Sequence, residues 1–259
     1  GLGDVYKRQR LSMRTLTKEG IDTRAVIRHS NSPGHVSVVL ADQFTGQRTL
    51  FSRRPKDYDI LPDELDRCAI TSGRLLHIDG VDAAAALRAI EWAREAGMVI
   101  TMDGERVVPG ILDVCKGVDQ IVANPIFLSK LTGVQNQREA LKALAACGPK
   151  RVAVTLAEKG VLGYSDGEFI EVAGFPIEAV DTNGAGDVFH GACVFGELRH
   201  WPFRWTLVFA AAVAAMKCRA LGGRQGIPML AEVKNFLALH NQHEIVDAIT
   251  MKIETSLRN

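Results

Sequence analysis

The densest chemistry in the sequence lies in VDTNGAGDVFHGA, Val180 to Ala192, where a β-like stretch ends at Asp181 and a turn of small residues, Gly184-Ala185-Gly186, opens directly into a helical pattern. Glycines let a backbone approach a ligand closely, and the first turn of a helix presents unpaired N–H groups carrying partial positive charge. The segment reads as an anion site. Asp187 falls in the first turn of that helix, so a carboxylate stands beside a pocket suited to phosphate charge. It can take the proton of an attacking hydroxyl while the amides stabilise the phosphoryl group in transfer. The same residues admit an architectural reading, in which Asp187 caps the helix and the glycines make a tight turn. Two other glycine motifs are excluded: GAGDVFHG is not G-x-G-x-x-G, and no GxxxxGK[ST] occurs. A dinucleotide oxidoreductase and a P-loop ATPase are therefore disfavoured.

Other candidates are weighed against plainer roles. Asp79 and Gly80 end an apolar run, where a ligand above a sheet would lie, or simply make a turn. His190 follows Asp187 by one helical turn and either faces the site or packs. Asp103 and Glu105 follow another run and read as metal ligands or solvated loop; Arg53, Arg54 and Lys56 read as contacts to an anionic substituent or as a solvated face. Trp201, Phe203 and Trp205, at a helix junction, read as core.

The elements that must hold these residues are visible as alternating patterns. RLLHIDG, an Ala-rich helix and MVITMDG follow in order, then QIVAN, two helical segments around 125–132 and 136–147, and RVAVTLA. Strand and helix in alternation predict a parallel sheet covered by helices, with ligands beyond the carboxyl ends of the strands. The C-terminal third turns helical, at 184–200, 201–218 and 231–240, the last two split by LGGRQGIP. Residues 34–51 predict a hairpin around DQFTG, near or in a lid. At 259 residues and 47% hydrophobic content one α/β domain is the expectation, over 11–259. GLGDVYKRQR, residues 1–10, has no clear periodicity and is set aside as a non-native leader.

With 31 Lys and Arg against 30 Asp and Glu, charge offers no general attraction to nucleic acid or acidic membranes. The five cysteines form no CxxC pattern and read as reduced packing residues of a cytoplasmic protein.

Asp181-Thr182-Asn183-Gly184-Ala185-Gly186-Asp187 followed by Val-Phe-His-Gly resembles the D-T-x-G-A-G-D signature of the ribokinase-like (PfkB) carbohydrate kinases. LHIDG at 76–80, Asn124 to Leu131-Thr132-Gly133, and Thr155 to Gly160 match in the same order. KCRALGGRQGIP, 217–228, resembles the family's cation-and-nucleotide loop, most closely that of bacterial sulfofructose kinases, and the resemblance runs from about 11 to 240.

It implies a three-layer fold with a small β lid and ATP-dependent phosphorylation of a sugar hydroxyl, with Asp187 as general base and Gly184, Ala185 and Gly186 as anion hole. It places nucleotide contacts at Asn124, Thr155, Gly160 and Gly223 and sugar contacts at Asp79, Gly80 and Asp187. Mg2+ accompanies ATP, K+ is expected at Asp181 and Asn183, and a homodimer is allowed. The family's first strand and Gly-Gly-Asn segment lie upstream of anything matched, so an N-terminal truncation is expected.

Two departures stand out: N-x-x-E is Asn124-Pro125-Ile126-Phe127, without its magnesium-organising Glu, and T-x-G-x-x-G has Ala157 at its first glycine. The alternatives are a non-catalytic ligand-binding or regulatory protein of the same fold and a kinase for a vitamin precursor.

Overall fold

The computed structural model describes residues 2–28, 35–41, 48–55 and 58–256. The chain divides into two compact units, Gly1–Ser72 and Gly73–Asn259.

In the first unit a helix α1, Leu2–Lys18, runs without a break through the segment set aside as a leader. No proline interrupts it, and it stops where Gly20 takes φ +77° and the Ile21 N–H donates back to the Leu16 carbonyl at 3.0 Å. The expected hairpin is an antiparallel pair, β1 Val36–Ala41 and β2 Arg48–Arg53, with Val36 opposite Arg53 and Ala41 opposite Arg48. Its DQFTG turn lies outside the described residues, as does Lys56. Arg54 pairs with Asp59 at 3.0 Å, and a short helix α2, Arg67–Thr71, is capped by the Asp66 side chain.

The second unit is built on a six-stranded sheet in the order β3 (Leu75–Ile78), β4 (Val99–Gly104), β5 (Gln120–Ala123), β6 (Arg151–Thr155), β7 (Val161–Ser165), β8 (Glu168–Val172). The first four strands are parallel, and β7 and β8 return antiparallel. The crossovers are α3 (Ala83–Glu95), α4 (Ile111–Lys116), and the pair α5 (Pro125–Thr132) and α6 (Gln137–Ala146).

Because successive strand residues point to opposite faces, the sheet feeds two cores. Ile121, Ala123, Val152 and Val154 pack with α3 to α6, while Val122 and Ala153 pack with the C-terminal helices. Those helices are α7 (Ala185–Leu198), α8 (Phe203–Lys217), α9 (Leu230–Leu239) and α10 (His243–Ser256). The result is the expected three layers. Trp201 and Phe203 are buried in the second core.

Sequence reading passed over β7 and β8, although the signal was present. Asp166 and Gly167 both take positive φ, +52° and +84°, and this Asp-Gly pair closes the hairpin as a mirror-image turn. Helix α10 was also passed over. No helix among the described residues is long and apolar enough to cross a membrane. The cysteines form no disulfide among the described residues, and burial pushes the Cys115 thiol up to about 12.

Candidate active site

The parallel register aligns Ile78 with Met102, Gly104 with Ala123, and Ala123 with Val154. Asp79, Asp103, Asn124 and Thr155 therefore share the carboxyl edge of the sheet, the edge at which such folds bind ligands. Helix α7 is tied to it by a pair between a buried histidine and a half-buried carboxylate: His190 Nε2 lies 3.0 Å from Asp103 Oδ1, and its ring sits 5.6 Å from that of His77 on β3. His77 Nδ1 in turn bonds Thr101 Oγ1 at 2.8 Å. His190 and Asp103 are thus partners that position α7, and no group of three metal-ligating side chains occurs among the described residues.

One turn before His190 the helix begins. Gly184 is its cap residue, in the left-handed region at φ +78°, and no side chain caps the end. The Ala185 N–H donates to the Thr182 carbonyl at 3.2 Å, and Val188 to Gly184 at 3.0 Å. The N–H groups of Gly184, Gly186 and Asp187 have no acceptor among the described residues. Three amides without partners therefore lie at the positive end of a fourteen-residue helix. Of the anion-hole residues read from sequence, Ala185 has its amide already engaged.

Asp187 is exposed, and no side chain or backbone group among the described residues bonds its carboxylate. It does not cap the helix, contrary to the capping part of the architectural reading, while Gly184 does make the tight turn. With Gly223, Arg224, Ile227 and Pro228 it lines a cavity of about 530 Å3 between α7, α8 and the start of α9. A larger cavity, about 770 Å3, is lined by Leu156, Lys159 and the start of α6. Of the two, only the smaller is lined by Asp187.

The loop beyond α8 is packed against the turn. A Cβ on Gly184 would lie 2.6 Å from the Gly223 carbonyl oxygen, so glycine is required there twice, by φ and by space. Asp181 joins the segments: Oδ1 accepts from the Asn183 N–H and Oδ2 from the Gly222 N–H, both at 2.8 Å. Lys217, fully buried, donates to the Asp181 carbonyl at 2.9 Å. Sequence reading assigned Lys217 no role; its signal was a charge closing an apolar helix.

The remaining candidates have structural partners. Asn124 caps α5, its Oδ1 accepting from Phe127 N–H at 2.7 Å and its Nδ2 donating to the Glu105 carbonyl at 3.2 Å. Phe127 is in the core against Gly104, so position 127 has a packing role. Thr155 and Gly160 line neither cavity. Gly160, at φ +98°, passes against the backbone of 172–174 and leaves no room for a side chain. Asp79 accepts from the Val81 N–H at 3.1 Å, and Gly80, at φ +69°, is wedged against Ile111 and Met102.

Ala157 sits at φ +51°, left-handed backbone that costs a residue with a Cβ about 1 kcal/mol or more. Ala157→Gly should leave stability unchanged or raise it by up to about 1 kcal/mol, since relief of strain opposes the greater freedom of an unfolded glycine. Denaturant unfolding measures this, and a clear loss would contradict the strain.

Comparison with known proteins bears on the fold and the family. The family model described as pfkB family carbohydrate kinase matches residues 8–230. A fructokinase of Solanum tuberosum is 32% identical over 151 residues, 55% of this chain and 47% of that protein, so the match spans about half the relative's length. A deoxyribokinase of Salmonella typhi is 24% identical over 245 residues, 88% of this chain and 78% of the relative. Among solved structures, a ribokinase II candidate from E. coli in complex with ATP and Mg2+ superposes with a TM-score of 0.78 at 20% identity, covering 89% of this chain and 79% of that one. That likeness is one of fold, and it identifies the three layers as the ribokinase-like fold. With the family model matched over most of its length, the chain belongs to the pfkB family of carbohydrate kinases.

Proposed function

We propose that this protein transfers the terminal phosphoryl group of ATP to a hydroxyl of a sugar or sugar-like molecule, with Asp187 as general base. The observation that carries the reading is the unpartnered Asp187 carboxylate, which lines a cavity with Gly223 and follows directly on the turn where the amides of Gly184, Gly186 and Asp187 have no bonding partner. The acceptor oxygen attacks the terminal phosphorus as its proton passes to Asp187. An O–P bond forms, the bond to the leaving diphosphate breaks, and the three amides bear the charge on the transferring group.

Magnesium fits as a companion of the phosphates. It keeps several waters and needs few protein carboxylates, which matches a site where Phe127 stands at the position of the family's Glu. The sugar is proposed to lie at Asp79 and Gly80, and Thr155, Gly160 and Asn124 to shape the nucleotide edge. A homodimer and a cytoplasmic location belong to the same proposal. Phe127 also favours a second reading, a ligand-binding protein of this fold without turnover.

The test is ATP consumption by the protein against a panel of ketoses, pentoses, ketodeoxy acids and nucleosides. Turnover with none, alongside intact nucleotide binding, would favour the second reading.

The same panel decides the sulfofructose resemblance. Sulfonate recognition calls for an arginine at the sheet edge, because a planar guanidinium pairs two anionic oxygens at once. The chain there reads Asp79-Gly80-Val81-Asp82. Fructose is expected to be phosphorylated faster than sulfofructose; the reverse order would overturn this assignment.

A further inference from the structure

Among the described residues Lys217 is the lone lysine or arginine in the buried class, with no exposed surface at all. A buried ammonium is costly unless its surroundings supply acceptors. Two features offset that cost. Lys217 closes the last turn of α8, at the negative end of the helix dipole, where a cation is favoured. Its Nζ also reaches the Asp181 carbonyl, 36 residues earlier in the chain, at 2.9 Å.

Around that bond the two segments are fastened repeatedly. Val180 and Asp181 donate their N–H groups to the Cys218 carbonyl at 2.8 and 3.1 Å. Gly222 donates to the Asp181 carboxylate, Gly226 is packed against the Lys217 carbonyl, and Gly223 against Gly184. The turn that presents the free amides is therefore seated on the end of α8, with a positive charge sealed beneath it. Away from water such a charge is weakly screened and acts on an anion above the turn.

We propose that Lys217 is a positioning residue for phosphoryl transfer, a built-in monovalent cation that holds 180–184 against 217–226, so that the protein needs no potassium. The proposal rests on the phosphotransferase reading. It replaces the expected K+ at Asp181 and Asn183, because potassium there would compete for the carbonyl that the ammonium holds. The alternative, a lysine buried for packing alone, predicts no response specific to small cations when it is removed.

The experiment compares the parent with Lys217→Ala and Lys217→Met in potassium, ammonium, sodium and tetramethylammonium chloride. Ionic strength is held equal so that screening is constant. Turnover and melting temperature are both read. The parent should respond alike in all four salts. In tetramethylammonium Lys217→Ala should lose about tenfold or more in turnover, the loss of one charge-assisted bond, and regain part of it, with a higher melting temperature, in ammonium or potassium. Lys217→Met, which fills the space without charge, should lose turnover without rescue.

A parent activated or stabilised by potassium over tetramethylammonium, or a Lys217→Ala protein indifferent to the small cations, would overturn the proposal. Should that variant fail to fold, the parent's salt response alone decides. A parent that turns over no sugar counts against the phosphotransferase reading, and the melting temperatures still decide this one.

Discussion

Asp187→Asn is expected to lower turnover by roughly 10²- to 10⁴-fold, the usual contribution of a positioned general base, while leaving nucleotide affinity nearly unchanged. The substitution keeps the size of the side chain and removes its ability to hold a proton. Because no group among the described residues bonds the Asp187 carboxylate, and Gly184 rather than Asp187 caps α7, the fold should not register the change. Melting temperature should stay near that of the parent. Turnover, nucleotide affinity and melting must be measured side by side. If the Asn variant turned over within a few-fold of the parent, Asp187 would not be the base. His190 would not replace it easily, since it is buried and paired with Asp103 at 3.0 Å.

Gly184→Ala should be nearly as damaging, through the backbone. At φ +78° a residue with a Cβ is strained by about 1–2 kcal/mol, and the new methyl would lie 2.6 Å from the Gly223 oxygen, a backbone atom that no rotamer change can move. The 222–226 loop must shift, carrying Gly222 from Asp181 and disturbing the turn that presents the free amides. Losing aligned donors to a developing anion costs about 10²- to 10³-fold in turnover. Here nucleotide affinity and melting temperature should fall as well, unlike the Asp187→Asn result. Gly186→Ala is the control: nothing lies within 4 Å of its added carbon, and alanine suits a helix better than glycine. Its melting temperature should hold or rise. A Gly184→Ala protein with the parent's turnover would show that the turn is not the phosphate cradle.

Much of this architecture was readable because its causes are local. The motif Asp181 to Asp187 places a glycine at a left-handed helix cap and a carboxylate in the first turn, and both follow from a few consecutive residues. Alternating strands and helices from Arg74 to Ala157 announced the layered sheet, since burial on both faces demands apolar runs separated by amphipathic helices. Asp166-Gly167 was equally legible as a hairpin turn and was overlooked. Helix α1 runs on from the segment read as a leader into the residues after it, with no breaker to stop it.

What the sequence by itself determined is therefore the fold class, the family and the glycine turn that opens α7. Tertiary structure decided which groups within that turn remain available. The inward Phe127, the pairing of Asp103 with His190 across two elements, and the burial of Lys217 against Asp181 all depend on segments distant in the chain. The last of these joins residues 36 positions apart. No local pattern encodes such a meeting, because periodicity and turn propensity reach only a few residues, whereas the partner of a buried charge or the emptiness around a carboxylate is fixed by what packs against it.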